Sequence, residues 1–353
     1  MANLRDVARR ASVSITTASR ALNGYDDVSD STRAAVLAAA EALDYHPSAA
    51  ARSLVSGRSG LVGVQFATPV ERVFVSPFIS HVVHAFTARV AARGYDILWL
   101  TSQAQTLRDV SPVARARRRQ VEGLFALDFD PQAPLLSEIA RLNVPVVMFD
   151  NDWIGPNARF VASDHAEGAR LAVRHLAGLG HRDIGLMVAQ VGSMAGRERL
   201  LGYRQALTEL GLAYRPEWVE VRDDYDVDNG HRGMRELLAR LCDARRPTAM
   251  FVAGDHMAIG AMQAMREAGL SLPGDMSIVG FDDLLGASFV TPALTTIRQD
   301  VERIGRTCAD LLLDALQDGG VPDVPRVPVA LTVRSSTAAP GARAREEVMA
   351  QIP

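Results

Sequence analysis

The chain has 353 residues, of which 48% are hydrophobic, and this length predicts two or three domains with sizeable cores. All 38 basic residues are arginine, which excludes chemistries that need a lysine, such as a Walker A phosphate loop or a Schiff base. The formal net charge of −3 is untypical of a nucleic-acid binder, and no apolar run reaches the roughly 18 residues of a membrane-spanning helix.

The first predicted elements are two short helices joined by a tight turn. Leu4, Val7, Ala8 and Ala11 lie at i, i+3, i+4 and i+7, the apolar stripe of an amphipathic helix. Ser12 and Val13 make the turn, and Ser14 is a suitable N-cap for the second helix. A third helix is predicted after Val28 and Ser29, with its own apolar stripe.

The free face of the second helix carries the first functional prediction. Ala18, Ala21 and Leu22 are expected to face inward, which leaves Thr16, Ser19, Arg20 and Asn23 together on the opposite side. Short polar residues and one arginine on a small helix suit the major groove of B-DNA. The alternative is an ordinary helical hairpin with a solvated face.

Residues 44–60 are predicted to be a linker. Ser48–Val55 could make two helical turns, too few to be stable alone in water, and Gly57 and Gly60 break the pattern. Leu54 is a lone large apolar residue with no evident core to join. The alternative is a flexible tether, in which Leu54 packs against the following domain or across a dimer.

From Leu61 onward, β and α patterns alternate. Apolar runs predict strands at 61–66, 95–100, 123–127, 144–149, 183–189, 249–253 and 277–281. Helices are predicted at 77–93, about 106–120, 164–179, 197–210 and 255–268, with a further helix before strand 144–149. Two successive runs of this kind predict two doubly wound lobes with a cleft between them, where ligands bind beyond the carboxyl ends of the strands.

Carboxylates follow three of the predicted strands: Asp150, Asp255 and Asp282. Ionised carboxylates accept several hydrogen bonds, so this set suits the hydroxyls of a sugar. Arg197, at the start of a predicted helix, can donate in fork geometry. For each of these residues the alternative is a helix cap or turn, most of all for Asp255.

Several other motifs do not predict a site. The segment 178–185 lacks the spacing of a dinucleotide fingerprint, and His81 and His84 form an HxxH pair without a third metal ligand. The RARRR run at 115–119 lies far from the predicted DNA-reading helix in sequence, so a solvated helix face is favoured over a nucleic-acid patch. No nucleophile, base and orienter assemble, and no metal or cofactor is implied.

The residues up to position 54 resemble the lactose-repressor (LacI/GalR) family of bacterial transcription regulators. The matching residues in this part are Asp6–Ala8, Val13, Ser14, Thr17, Ser19, Arg20, Leu22, Asn23, Val28, Ser29, Thr32, Arg33, Tyr45, Pro47, Ala51, Arg52 and Leu54. The resemblance continues to about residue 338, through segments such as Gly180–Arg182, Val279–Asp283, Leu294–Thr296 and Val333–Thr337.

The resemblance implies an all-α helix-turn-helix DNA-binding head followed by an α/β periplasmic-binding-protein-like effector domain of two doubly wound lobes. The expected boundaries are 1–45 for the head, 46–60 for a hinge helix or linker and 61–338 for the effector and dimerisation domain. The first lobe is expected at 61–159 and 291–319, the second at 160–290 and 320–338, with three crossings between them. Residues 339–353 are expected to be a disordered tail. They have no leucine heptads, so a dimer is favoured over a tetramer.

The resemblance also implies contact residues. The residues predicted to contact DNA are Ser14, Ile15, Thr16, Thr17, Ser19, Arg20, Asn23, Ala51 and Leu54. By resemblance, Ser48–Val55 folds on the operator and Leu54 wedges into the minor groove. The predicted effector contacts are Phe78, Ile79, Asp150, Arg197, Tyr225, Asp255 and Asp282. Gly254 departs from the family, where Asn is common, which leaves the identity of the sugar open.

The sequence therefore predicts a non-enzymatic, homodimeric repressor that binds a pseudo-palindromic operator and answers to a small sugar-like effector. A purine- or nucleoside-responsive repressor is the alternative within this class, and a solute-binding protein or an enzyme are alternatives outside it. A cytoplasmic location is expected, because the N-terminus lacks an apolar signal region and the two cysteines, Cys242 and Cys308, are best explained as buried thiols.

Overall fold

The structure is a computed structural model. It describes residues 2–46, 58–66, 76–100, 111–127, 134–152, 155, 157–241, 246–318 and 326–341. The predicted hinge helix with Ala51 and Leu54, Cys242, and the predicted tail beyond residue 341 lie outside these residues, and the predictions about them stay predictions.

The head consists of three helices, α1 (Leu4–Arg10), α2 (Ile15–Leu22) and α3 (Asp30–Ala42). Each begins at a side-chain cap, because Asn3, Ser14 and Ser29 accept hydrogen bonds from backbone amides of the first turn. Val7, Ala18 and Val36 are fully buried in the small core that joins the three helices. The predicted stripes therefore form the core, and the predicted turn follows at Ser12, which has a left-handed backbone with φ 53°.

The first lobe contains a parallel sheet in the order β2-β1-β3-β4-β5. Its strands are β1 (Leu61–Phe66), β2 (Asp96–Leu100), β3 (Gly123–Leu127), β4 (Val146–Phe149) and β5 (Ala158–Val161). The described helices α4 (Pro77–Ala91), α5 (Pro112–Arg118) and α6 (Pro134–Ile139) precede β2, β3 and β4. Because both faces are covered, β1 and β3 are apolar apart from Gln65, and nearly every residue is buried.

The second lobe contains a six-stranded sheet in the order β11-β10-β9-β8-β6-β7. Its strands are β6 (Ile184–Ala189), β7 (Val219–Arg222), β8 (Ala249–Val252), β9 (Ser277–Asp282), β10 (Thr295–Gln299) and β11 (Val329–Thr332), of which only β11 is antiparallel to its neighbour. Helices α7 (His165–Gly178) and α8 (Met194–Glu209) bury one apolar cluster, while α9 (Val227–Arg240) and α10 (Asp255–Glu267) bury another. A 3-10 turn at Pro216–Trp218 and a short helix α11 (Leu285–Phe289) complete the lobe.

The chain passes between the lobes three times: from β5 to α7, from β10 to α12 (Val301–Asp318), and from α12 to β11. Helix α12 packs on the first lobe, where Ile304 and Leu312 join the core of Val64 and Phe86. The predicted boundary at residue 291 is wrong for β10, because Thr295–Gln299 pairs with β9 of the second sheet. The chain leaves the second lobe after Gln299.

The predicted strands and helices lie within a few residues of those observed, and β1 and β3 match to the residue. Within the described residues, no helix combines the length and the apolar character needed to cross a membrane.

Candidate nucleic-acid interface and interlobe ligand site

Helix α2 of the head presents the face predicted to read DNA. Ser14 caps it by accepting from the backbone amide of Thr17 at 3.0 Å, and the two hydroxyls are 2.8 Å apart. Ile15 and Thr16 follow directly and are exposed, with 46% of Ile15 accessible. The N-terminal residues of such a helix are those that reach base edges in the major groove. An exposed isoleucine and a threonine there can contact a thymine methyl group and a base edge.

Arg20 is on the same helix but is not free. Its guanidinium forms two bonds to the carboxylate of Asp27, at 3.1 Å from Nε and 2.6 Å from the terminal nitrogen, and it lies 4.6 Å from the centre of the Tyr25 ring. Asn23 donates to the backbone oxygen of Ser19 at 2.8 Å. A base contact by Arg20 therefore has to replace or share its bond to Asp27.

The second site lies where the two sheets meet, at the carboxyl ends of their strands. We define the cleft cluster as Asp150, His165, Arg199, Tyr225, Asp282 and Gln299. Asp150 directly follows β4 of the first sheet. Its carboxylate accepts a hydrogen bond of 2.9 Å from Nε2 of His165, the first residue of α7. Asp282, at the end of β9, accepts from Nε2 of Gln299, at the end of β10, at 2.7 Å. Both lobes thus contribute polar side chains to one place.

Arg199 of α8 is the central cation of this cluster, and sequence reasoning missed it. Only 5% of Arg199 is exposed, and it donates to the carbonyl of Ala253 at 2.7 Å. Its guanidinium stands 4.0 Å from the ring centre of Phe281 and 5.2 Å from that of Tyr225. A terminal nitrogen lies 3.8 Å from the Asp282 carboxylate. This places a cation between two aromatic rings and an acid at the edge of the cleft.

Arg197, which the sequence placed in the site, is not part of this group. It is 47% exposed and forms an ion pair of 2.6 Å with Asp152, which follows β4 in the first lobe. The buried face of α8 contains Ala195, Gly196, Arg199, Gly202 and Tyr203. Arg197 falls outside that face, so helix periodicity could have selected Arg199 instead.

Asp255 does not contact the cleft either, so its predicted role as an effector contact is corrected. It is fully buried, and its two oxygens accept from the hydroxyl of Thr296 at 2.6 Å and from the backbone amide of Leu284 at 2.8 Å. Burial raises the pKa of this carboxyl well above its usual value, and the nearby charge of Asp282 adds to the effect. Asp255 joins α10, β10 and the segment before α11, which is a structural role.

The predicted aromatic residues do lie at the carboxyl ends of the strands. Tyr225 donates its hydroxyl to the carbonyl of Ala189, at the end of β6, at 2.8 Å, and burial raises its pKa. Phe78, in the first turn of α4, has its ring centre 5.9 Å from that of Phe149, the last residue of β4. Ile79 packs beside it against the core of the first lobe.

Buried polar atoms without a hydrogen-bond partner among the described residues include Gln65 Oε1, Ser163 Oγ, His165 Nδ1, Arg199 Nε and Gln299 Oε1. An unsatisfied buried polar group costs about 1–3 kcal/mol. Three of these atoms belong to the cleft cluster, on His165, Arg199 and Gln299. They offer both donors and acceptors, so the site suits a small ligand with several polar groups.

The acidic residues of the cleft cluster have perturbed pKa values or strained backbone angles. Burial raises the pKa of Asp282, and the nearby Arg199 and the bond from Gln299 oppose that rise. Asp150, Asp282 and Asp283 all have positive φ angles, of 51°, 116° and 58°. Backbone strain of this kind is concentrated at functional sites.

Other motifs remain outside these two sites. His81 is exposed and its Nδ1 lies 2.5 Å from the carbonyl of Pro77, within its own helix. In the described part of the chain, no group of three or more His, Cys, Asp or Glu side chains is arranged to hold a metal ion. The arginines at 117–119 are exposed at the end of α5.

Comparison with known proteins finds family matches for the head and for much of the domain that follows it. Residues 3–48 match the family of bacterial regulatory proteins called lacI, and residues 173–337 match the periplasmic binding protein-like domain. Among curated relatives, the HTH-type transcriptional repressors PurR of Erwinia tasmaniensis and of Yersinia enterocolitica are both 36% identical over 320 residues. These matches cover 90% of this chain and 91% of each relative.

Solved structures agree over nearly the full length. A lac repressor dimer bound to operator and the anti-inducer ONPF is 32% identical with a TM-score of 0.80, covering 96% of this chain and 99% of that one. The complex of the transcriptional regulator CelR with cellobiose is 30% identical with a TM-score of 0.70, covering 95% of this chain and all of that one.

Proposed function

Since this chain belongs to the lacI family of bacterial regulatory proteins, as a DNA-binding transcriptional repressor and not an enzyme, we propose that a small polar effector in the cleft cluster controls its binding to an operator. The observation that carries this proposal is the set of unpartnered buried polar atoms on His165, Arg199 and Gln299. All three residues belong to the second lobe, and His165 also bonds to Asp150 of the first lobe at 2.9 Å, so the set adjoins the lobe junction. A ligand bonded to them would favour one arrangement of the lobes over another.

Two effector classes have support. Carboxylates at Asp150 and Asp282 suit the hydroxyls of a sugar, and the CelR relative binds cellobiose. The aromatic ring of Tyr225 and the guanidinium of Arg199 also suit a flat nitrogen heterocycle, and the curated relatives at 36% identity are PurR repressors. We place the sugar class first, because the acidic residues of the cleft cluster outnumber its one arginine.

We further propose that the functional unit is a dimer, in which two heads read two half-sites of a pseudo-palindrome. Dimers of this kind bind half-sites about one helical turn, or a multiple of one turn, apart. The solved relative bound to operator is a lac repressor dimer.

The test begins with thermal unfolding of the full chain against a panel of mono- and disaccharides, purine bases and nucleosides. A ligand present at about 100 times its dissociation constant stabilises the folded state by about 2.7 kcal/mol. The compound that raises the melting temperature is then added to a gel-shift assay with duplexes selected from a random library. A change in DNA affinity supports the proposal, whereas a stabilising ligand that leaves DNA affinity unchanged contradicts effector control.

The matched variants are Arg199→Ala and Arg197→Ala, two arginines of the same helix. We expect the first to abolish the ligand shift and the second to retain it. If both variants respond at the wild-type concentration, the ligand binds elsewhere.

A further inference from the structure

The end of the first lobe where the chain arrives from the head is lined by arginine. We define the arginine end as Arg58, Arg93, Arg117, Arg118, Arg119 and Arg141. All six are exposed. They come from four separate segments: the residues before β1 and those at the ends of α4, α5 and α6.

Hydrogen bonds show that these segments adjoin one another. Ser59 donates its hydroxyl to the carbonyl of Gln120, which follows Arg119, at 2.5 Å. The side chain of Arg117 donates to the carbonyl of Arg141 at 3.1 Å. Arg58 bonds to Tyr95, two residues after Arg93. The arginines therefore surround the first described residues after the linker.

Few acidic groups balance this charge. Glu122 is paired with Arg58 at 3.1 Å and also accepts from the amide of Gly60 at 2.7 Å, so it is already occupied. Two further acidic residues occur here: Asp96, whose amide bonds to the carbonyl of Gly60, and Glu138, whose carbonyl accepts from the amide of Arg141. None of the remaining five arginines forms an ion pair with a carboxylate in the part of the chain that the structure describes.

The length of the linker limits the distance between the head and the arginine end. Eleven residues lie between His46 and Arg58, so the head stays within about 40 Å of the arginine end even when the linker is fully extended. The tether therefore keeps DNA that the head binds within reach of this end of the lobe. Residues 1–46 carry five Arg against six Asp or Glu, so by count the head itself supplies no net positive charge.

We propose that the arginine end is a second DNA-contacting surface, which binds the phosphates of the duplex flanking the operator. The RARRR run, taken from the sequence as a solvated helix face, then has a function that its distance from the head in sequence concealed. Arginine forks match phosphate oxygens, and such contacts add affinity without reading sequence. The inference rests on operator binding by the head, but it concerns a different surface.

The alternative explanation is local. Arginines at the ends of α4, α5 and α6 also interact favourably with the negative ends of the helix dipoles. That effect would change the stability of the lobe and leave DNA binding as it is, so the two explanations make different predictions.

The experiment compares two double variants of the full chain. Arg118→Gln with Arg119→Gln removes two charges from the arginine end. Arg235→Gln with Arg266→Gln removes two exposed arginines from the second lobe as the matched control. The probe is a duplex of about 20 base pairs, long enough for two half-sites, recovered by wild-type selection from a random library. It is used alone and with about 15 base pairs of fixed flank on each side, over a series of salt concentrations.

We expect the wild type and the control to bind the flanked duplex more tightly than the short one. The Arg118 and Arg119 variant should bind the flanked duplex about tenfold more weakly and the short one almost as tightly as the wild type. Its plot of log affinity against log salt should become shallower by about 0.9 for each phosphate that the variant no longer binds.

Three outcomes overturn the proposal. A wild type that gains nothing from the flanks has no second surface. Equal weakening of the variant on both duplexes means that the arginines act on the head or linker. A variant that melts at a lower temperature but binds the flanked duplex as the wild type does supports the helix-dipole explanation. If the wild type selects no duplex at all, it is operator binding itself that fails.

Discussion

The face of α2 predicted to read DNA and the cleft cluster are both polar, but the hydrogen-bonding groups of the two surfaces are satisfied in opposite ways. On α2 the polar groups are exposed and bonded locally, as when Ser14 caps the helix and Arg20 pairs with Asp27. In the cleft cluster, His165, Arg199 and Gln299 are buried and each keeps one polar atom without a partner among the described residues. Exposed polar groups can exchange their bonds to water for bonds to DNA at little cost in free energy. Buried groups without partners are unfavourable in free energy until a ligand with matching polar groups bonds to them.

The largest expected effect is at Arg199, the most buried arginine of the cleft. Arg199→Ala leaves Asp282 and the carbonyl of Ala253 without their cation, and removing one partner from a buried pair costs about 3–5 kcal/mol. We expect a loss of at least about 3 kcal/mol in the free energy of unfolding measured by urea denaturation. Arg197→Ala, which breaks the exposed pair with Asp152, should cost less than about 1 kcal/mol. If both variants lose the same free energy of unfolding, the buried bonds of Arg199 are worth no more than the exposed pair of Arg197, which would contradict this comparison.

The second effect concerns the head. Arg20→Ala should weaken binding to the selected duplex by about 10- to 100-fold, since a bidentate arginine–guanine contact discriminates by about 1–3 kcal/mol. Stability should change little, because both Arg20 and Asp27 are about half exposed. Titration of selected and random duplexes measures this. An equal loss on both kinds of DNA would assign Arg20 to phosphate contact and not to base reading.

The third effect tests how tightly the cleft is packed. A Cβ added at Gly254 would lie 2.9 Å from Cδ1 of Tyr225, so Gly254→Ala forces the ring to move. Overpacking of this kind costs about 1–3 kcal/mol, and we expect about tenfold weaker effector binding with unchanged affinity for the selected duplex. Thermal-shift titration measures the first quantity and gel shift the second. Unchanged effector binding would show that the position of Tyr225 does not matter to the ligand.

The smallest effect is a pH dependence of the second lobe. His181 bonds to Thr248 and to the carbonyl of Ala338, and His175 bonds to Thr337, so both hold the segment after β11. Burial lowers the pKa of both histidines below the ordinary 6.5. Below pH 6.5 the unfolded chain takes up these protons before the folded chain does, so stability falls as the pH drops towards the folded pKa values.

We expect this decrease to be at most about 1.4 kcal/mol per pH unit for each proton, measured by urea denaturation between pH 7.5 and 5. Replacing His175 and His181 together with Gln should flatten the profile, while His81→Gln, an exposed histidine, should not. An unchanged slope in the double variant would assign the acid sensitivity to other groups.

The sequence predicted best those strands in which burial alone determines the pattern of apolar residues. Strands β1 and β3 are buried on both faces, so their boundaries coincide with the apolar runs. Strands β5, β7, β10 and β11 and helices α9, α11 and α12 were not predicted, and α9 illustrates one reason. In α9 the glycines lower helix propensity, but Gly230 is required, since a Cβ there would lie 2.0 Å from the carbonyl of Met257 in α10.

Prediction of the site residues was also limited by what only the tertiary structure reveals. Strand-end positions pointed to Asp150 and Asp282, and the structure places both in the cleft cluster, because the carboxyl ends of parallel strands share one edge; their contact with an effector stays a prediction. They could not separate Asp255 from these, since only the tertiary structure places Thr296 and Leu284 around its two oxygens. Gln299 was missed for a related reason: β10 belongs to the second sheet, and its lobe depends on the pairing with β9.

The ion pair between Arg197 and Asp152 has a consequence for how the lobes are balanced. It is the bond that links α8 to the segment after β4, and both partners are more than 40% exposed. An exposed pair is worth at most about 1 kcal/mol and weakens with salt, which corresponds to about a fivefold change in an equilibrium constant. If the effector acts by shifting the lobes between two arrangements, as proposed, an interaction of that strength would bias their ratio without locking either one. Substitution at either position would therefore adjust the effector concentration needed for half-maximal response while leaving the effector contacts themselves in place.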